Sequence, residues 1–136
     1  MGWDNNQRIY RYSETLLNAA ELILRTGGDA AKAQGYYNEV RNRAHASART
    51  VSLDNLLEER RLEFVGEGKR YYDLIRFGKA AEVLKPGGGK VLNKAKTAYD
   101  VIGVPERIQW TESKKYLPIP QDEIEAAKGT LKQNEY

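Results

Sequence analysis

The chain contains no cysteine, which excludes disulfides, thiolate zinc sites and cysteine nucleophiles. A single histidine, His45, leaves no His-rich metal site and makes any triad chemistry depend on one imidazole. No apolar run approaches the roughly 18 residues that a membrane span needs. No leader pattern is present, because Met1-Gly2-Trp3-Asp4 has neither a charged start nor an apolar stretch. The sequence therefore reads as a cytosolic protein or an excised piece of a longer one. The Met1-Gly2 start, followed at once by a helical pattern, favours the piece. A dominant charge sign is also lacking: 22 Lys and Arg stand against 19 Asp and Glu, a net charge of +3. That small excess does not argue for nucleic acid, and no nucleic-acid partner is expected.

What is present is enough to fold. The 136 residues suit one domain, and at 40% hydrophobic the chain is too apolar for a disordered tail. From Asn6 to Thr26, apolar residues step by three and four through Ile9, Tyr12, Leu16, Ala19/Ala20 and Ile23. Arg11, Glu14, Asn18, Glu21 and Arg25 fill the intervening polar positions. Gly27-Gly28 stops this helix, and Asp29 can cap a second running to about Ala46. Two helices joined by so short a link pack antiparallel. The hairpin is placed at 7–46, with Leu16, Ala20, Ile23, Tyr37 and Val40 at the seam.

Ser52 is a good cap for a third helix. Its inner stripe passes through Leu53, Leu57, Arg60, Phe64, Glu67, Tyr71 and Leu74, so two charges fall on an apolar line. Gly66 and Gly68 predict a break there, with a restart at Lys69 and a helix to about Leu84. Residues 85–116 read as irregular. Lys94–Tyr99 could form a turn or two of helix, and Ile108, Trp110 and Tyr116-Leu117 suggest short extended pieces. In the tail, 117–136, Pro118 and Pro120 enforce extension before a short helix from Gln121.

The stretch 58–76 holds five acids and five bases. Glu59, Arg60, Glu63, Glu67, Arg70, Asp73 and Arg76 are the proposed members of a structural ion-pair network. Balanced signs at helical spacing suit intrahelical and interhelical pairing. The competing reading, a catalytic carboxylate pair, lacks a partner, because each acid has a base within reach. Gly87-Gly88-Gly89-Lys90 resembles a phosphate loop, but Val91 replaces the Ser or Thr and the first Gly is missing. It reads as a turn, and no cofactor, metal or catalytic residue is expected. Nine Tyr and two Trp are many for this length. Tyr99, Trp110 and Tyr116 lie outside the predicted helices and are the ligand candidates, since aromatic faces stack on sugar rings and on bases as well as filling helix interfaces.

Four ordered motifs together resemble the C-terminal part of the SusD/RagB family. Arg11-Tyr12-Ser13-Glu14-Thr15-Leu16-Leu17 through Ala20-Glu21 is similar to the family's R-Y-x-E-x-L-L-x-x-A-E helix. Asn38-Glu39-Val40-Arg41-Asn42-Arg43-Ala44 resembles its N-x-V-R-x-R-A helix. Glu59-Arg60-Arg61-Leu62-Glu63-Phe64, continued by Glu67-Gly68-Lys69-Arg70 and Asp73-Leu74-Ile75-Arg76-Phe77-Gly78, resembles its hallmark E-R-R-x-E-L-x-x-E-G-x-R-x-x-D-L-x-R-x-G. Tyr116-Leu117-Pro118-Ile119-Pro120 with Glu123-Ile124 looks like its closing L-x-P-I-P-x-x-E-I. The usual N-P…Q-N-P-G-Y ending is replaced by Ala126-Ala127-Lys128-Gly129 and Gln133-Asn134-Glu135-Tyr136.

The resemblance implies a mainly α fold: a tetratricopeptide-like antiparallel helical hairpin, further helices and an irregular, loop-rich C-terminal region. It implies that residues 1–136 are a C-terminal fragment. The parent would be a non-catalytic, lipid-anchored outer-membrane protein that captures an oligosaccharide and caps a SusC-like TonB-dependent transporter. The family's glycan platform lies mostly in segments absent here, so no binding residue is carried over, and glycan binding by this chain alone is expected to be weak or undetectable. The alternative is an independent helical repeat module for protein–protein interaction. An isolated terminal hairpin exposes an apolar face, so self-association is a further expectation.

Overall fold

The computed structural model describes residues 9–84, 89–102 and 110–135. The chain divides into two compact units, Met1–Asp73 and Leu74–Tyr136, and each is described by itself.

In the first unit α1 spans Tyr12–Thr26 and α2 spans Ala30–Arg43. Gly27 adopts the left-handed conformation (φ 68°) that ends α1, and the Gly28 N–H reaches back to the Ile23 carbonyl at 2.9 Å. The Asp29 carboxylate accepts from the Ala31 and Lys32 N–H groups at 2.9 and 3.2 Å, which starts α2. The hairpin is therefore closed within three residues, which brings α1 and α2 side by side. Ala20 and Ala33 are fully buried between them, and their small size permits close approach. Helix α3, Leu53–Glu63, begins where the Ser52 hydroxyl accepts from Asn55 N–H at 3.1 Å. It packs on α1, so that Leu16, Leu17, Ala20, Ala33, Tyr37, Val40, Leu56 and Phe64 form one core. Gln34 ties down the intervening loop, bonding Val51 N–H at 2.7 Å and the Arg49 carbonyl at 3.0 Å.

The seam residues Leu16, Ala20, Tyr37 and Val40 are buried as expected, with Ile23 packed partly against them. The buried face of α1 is wider than the expected one and ends short of its predicted start. Ile9 and Tyr12 are exposed, whereas Ser13, Glu14 and Glu21 are buried. Helix α1 has two neighbours, α2 and α3, so its buried arc is wider than a single stripe and takes in carboxylates that find partners there. Residues 7 and 8 of the predicted helix lie outside the described residues.

The break at Gly66 and Gly68 is present, with both at positive φ (80° and 71°), and α4 follows at Arg70–Arg76. The boundary between the units falls within α4. The expected continuous helix to Leu84 is not formed. Gly78 (φ 67°) stops α4, and a separate turn, α5, occupies Ala80–Val83.

In the second unit, Leu74 and Ala80 are buried. The expected helical turns at Lys94–Tyr99 are replaced by an antiparallel hairpin. Strand β1, Gly89–Leu92, pairs with β2, Tyr99–Ile102, in the register Gly89↔Ile102 and Leu92↔Tyr99. Asn93 determines this outcome: its side chain accepts from Thr97 N–H at 3.0 Å and its own N–H bonds the Ala98 carbonyl at 2.9 Å. Lys96 at φ 58° turns the chain out of any helix. A single 3₁₀ turn occupies Glu112–Lys115 and α6 spans Gln121–Ala126, with Asp122 and Glu123 in its first turn as the sequence suggested. Lys85-Pro86-Gly87 and Ile108, read as a helix stop and an extended piece, lie outside the described residues.

Candidate functional site

The charged stretch 58–76 pairs partly within itself and partly with residues at α1 and α2. Arg60, on α3, is buried with its side chain 4% exposed. Its Nε donates to Asp73 Oδ2 at 2.9 Å and its Nη1 to Asn18 Oδ1 at 2.7 Å, and its Nη2 lies 3.5 Å from Glu14 Oε1. Lys69 reaches the same Glu14 carboxylate at 3.1 Å. Asp73, from the same charged stretch, is the closer partner, and Glu14 is the acid that α1 contributes.

Glu63 and Glu67 instead hold Arg11, at 2.5 and 2.8 Å. Arg11 also donates to the Glu63 carbonyl and, at 2.6 Å, to the Ser13 hydroxyl. Arg43 adds a second guanidinium on Glu63 at 2.6 Å. The Phe64 ring centre lies 4.9 Å from the Arg11 guanidinium and 5.0 Å from that of Arg60. The hydrogen bonds that Arg11 donates to Glu67, above all, hold its guanidinium protonated to still higher pH. A third group joins α2 to α3: Arg41 pairs with Glu59, both buried, and donates to the Ser47 carbonyl at 2.9 Å.

Of the remaining network candidates, Arg70 donates to the Leu57 carbonyl at 3.2 Å, and Arg76 places its guanidinium 4.8 Å from the Phe77 ring centre. Arg61 pairs with Glu58 at the surface, and that hydrogen bond holds the Glu58 carboxyl below the usual range. The sequence reading of the network did not include Arg11, Glu14, Arg41 and Arg43. All four stand at charged positions of the quoted family motifs, which is the signal that could have found them.

The Tyr37 phenol is fully buried, 3.4 Å from Glu59 Oε2. Burial first, and the Glu59 charge second, push its pKa above the ordinary value, partly opposed by Arg41 and Arg49. The sign follows from linkage: stability carried by the neutral phenol is complete below about pH 10, the unfolded value, and is lost as pH rises toward the folded one. The urea midpoint should therefore fall between about pH 9 and about pH 11, with a shallower fall in Tyr37→Phe. Equal slopes in the two proteins would remove Tyr37 as the cause.

Chemically, these groups are suited to holding helices together. The cluster carboxylates Glu14, Glu59, Glu63, Glu67 and Asp73 each face a cation, whereas a general acid needs surroundings that favour its neutral form. Among the described residues no group of His, Asp and Glu is arranged to hold a metal ion. His45 is exposed just past the end of α2.

The three aromatic candidates have different surroundings. Trp110 is half-buried and lines a cavity of about 120 Å³ with Ile75, Ala80, Ala81, Glu112 and Lys115. Tyr99, on β2, and Tyr116, just after the 3₁₀ turn, are 67% and 62% exposed and do not line it.

Comparison with known proteins places this arrangement. A family model described as the SusD family matches residues 2–136. The starch-binding protein SusD of Bacteroides thetaiotaomicron is 42% identical over 77 residues, covering 55% of this chain and 13% of that protein. The SusD-like protein P38 of Formosa agariphila is 32% identical over 99 residues, covering 63% of this chain and 20% of its own. Among solved structures, surface glycan-binding protein A from Bacteroides thetaiotaomicron matches with a TM-score of 0.74 and 55% identity, over 100% of this chain and 26% of that one. A SusD-like protein from Bacteroides fragilis matches with a TM-score of 0.72 and 32% identity, over 93% of this chain and 25% of that one. The chain thus spans between 13% and 26% of the length of these relatives, and it belongs to the SusD family.

Proposed function

We propose that residues 1–136 form the C-terminal helical scaffold of a non-catalytic glycan-binding protein. That protein would be lipid-anchored at the outer membrane and work with a SusC-like TonB-dependent transporter. The observation that carries this reading is the family match across residues 2–136, joined to relatives named for starch and glycan binding. The pairing of the cluster carboxylates supports the absence of catalysis. Among the described residues no helix is long and apolar enough to cross a membrane.

Trp110, with Glu112 and Lys115 at the same cavity, is the best placed of the three aromatic candidates for a sugar contact. Its cavity is small beside the roughly 300–1,000 Å³ of ordinary ligand sites, so affinity there should be low. Calorimetric titration with an oligosaccharide panel, read beside a reducing-end assay, tests the reading. Millimolar or weaker binding without new reducing ends is expected. Release of reducing ends would overturn the non-catalytic reading, and micromolar binding abolished by Trp110→Ala would place a strong site in the 110–116 segment.

One observation favours the second reading, a module that docks another helix. Tyr12, Thr15, Ala19 and Leu22 run along α1 at three- and four-residue steps, and Tyr12 and Leu22 are 65% and 64% exposed. Such a stripe suits helix packing, and sedimentation velocity should show self-association that Leu22→Glu abolishes. A monomer at all concentrations would count against it.

A further inference from the structure

Between the first turn of α1 and the last two turns of α2 lies an open groove of about 320 Å³. This volume is at the lower end of the range for small-molecule sites. Leu16 and Val40, both buried, give it an apolar floor. Tyr12 stands on its rim with a largely exposed ring. Glu39 is also at the groove and exposed, and neither its carboxylate nor the Tyr12 hydroxyl has a partner among the described residues. Arg43 completes the lining. Its Nη2 is committed to Glu63, which leaves further N–H donors on the same guanidinium.

We propose that this groove is a sugar subsite, with Tyr12 as the stacking surface and Glu39 and Arg43 as the partners of ring hydroxyls. The proposal rests on the glycan-binding reading above and extends it to residues that the sequence assigned only to the scaffold. Three chemical points favour a neutral polyhydroxyl ligand. The cations at the groove, Arg11 and Arg43, are already engaged by Glu63 and Glu67, so little charge remains to attract an anion. A free carboxylate and a guanidinium accept from and donate to hydroxyls in pairs, which an apolar ligand could not use. An aromatic face beside them supplies the apolar contact that the C–H surface of a sugar ring matches.

The test is titration of the isotopically labelled chain with maltoheptaose, and separately with cellohexaose, followed by amide and methyl shifts. Leu16 and Val40 should shift with a millimolar Kd, and Tyr12→Ala or Glu39→Gln should each weaken binding roughly tenfold, by analogy with aromatic stacking on bases. Both side chains are exposed, so the variants should keep the wild-type helical signal. Shifts confined to other residues and unchanged in Tyr12→Ala would overturn the subsite and leave the glycan-binding reading standing. No shift with either sugar would overturn the subsite, and the scaffold reading, which needs no strong binding by this chain alone, would stand. Stronger binding of trilysine than of either sugar would make Glu39 a cation site and overturn the proposal.

Discussion

Replacing Arg60 with Met should destabilise the first unit by roughly 3–5 kcal/mol, the cost of removing one partner from a buried ion pair. The magnitude follows from burial: Arg60 and Asp73 side chains are 4% and 5% exposed. An exposed pair would contribute about 0–1 kcal/mol and weaken with salt. Methionine keeps much of the stem but takes from Asp73 a guanidinium at 2.9 Å, and from Asn18 a donor at 2.7 Å. Glu14 retains Lys69 at 3.1 Å, so the loss should come mainly from the pair with Asp73. The double variant Arg60→Met, Asp73→Leu should recover part of the loss, because replacing both members of a buried ion pair by apolar side chains costs less than removing one. Urea unfolding at low and high salt measures both. A cost below about 1 kcal/mol that disappears in high salt would make the pair a surface bridge.

The same residues show where sequence reasoning succeeds. Period and punctuation were legible: Gly27, Asp29, Ser52, Gly66 and Gly68 each act through local backbone chemistry, and each marks a boundary that the structure shows. The seam was legible because Leu16, Ala20, Tyr37 and Val40 recur at helical spacing. The partners of the charges were harder to read. Arg11 reaches Glu63 and Glu67 across more than fifty residues of chain, and no spacing rule connects residues that meet only after three helices have packed. The buried side of α1 was misjudged for a related reason. Glu14 and Glu21 look solvent-facing until their partners are known, since burying a carboxylate is tolerable only when a cation comes with it. The β1–β2 hairpin was hidden by composition. Lys90, Asn93, Lys94 and Lys96 dilute the alternation of apolar residues, and the decisive bonds come from Asn93. Aromatic type drew attention to Tyr99, Trp110 and Tyr116. A groove walled by Tyr12 and Glu39 could not be read in advance, because it depends on how α1 and α2 pack, which the spacing along either helix does not show.

Leu17→Ala should cost the first unit roughly 2–5 kcal/mol, the range for truncating a buried leucine. Leu17 has no exposed surface and belongs to the same core cluster as Ala20, Tyr37 and Leu56. The loss has two parts: the transfer of the removed methyl-bearing carbons out of water is forfeited, and a cavity remains wherever the surroundings cannot close in. Collapse should be poor at this site. The network of Arg11, Arg60 and their acids fixes α1 against α3, and the short Gly27–Asp29 link fixes it against α2. The cost should therefore fall in the upper half of that range. Domains are stable by only about 5–15 kcal/mol, so Leu17→Ala could leave the unit largely unfolded. A conservative companion keeps the measurement readable: Leu17→Met preserves volume and should cost less than about 1.5 kcal/mol. Exposed Leu22, five residues along the same helix, supplies the contrast, and its replacement by Ala should change stability by no more than about 0.5 kcal/mol. Urea midpoints for the three variants would then fall in the order Leu22→Ala, Leu17→Met, Leu17→Ala. A Leu17→Ala cost as small as that of Leu22→Ala would mean that α1 presents a different face to its neighbours, and both the core and the groove built on that face would have to be redrawn.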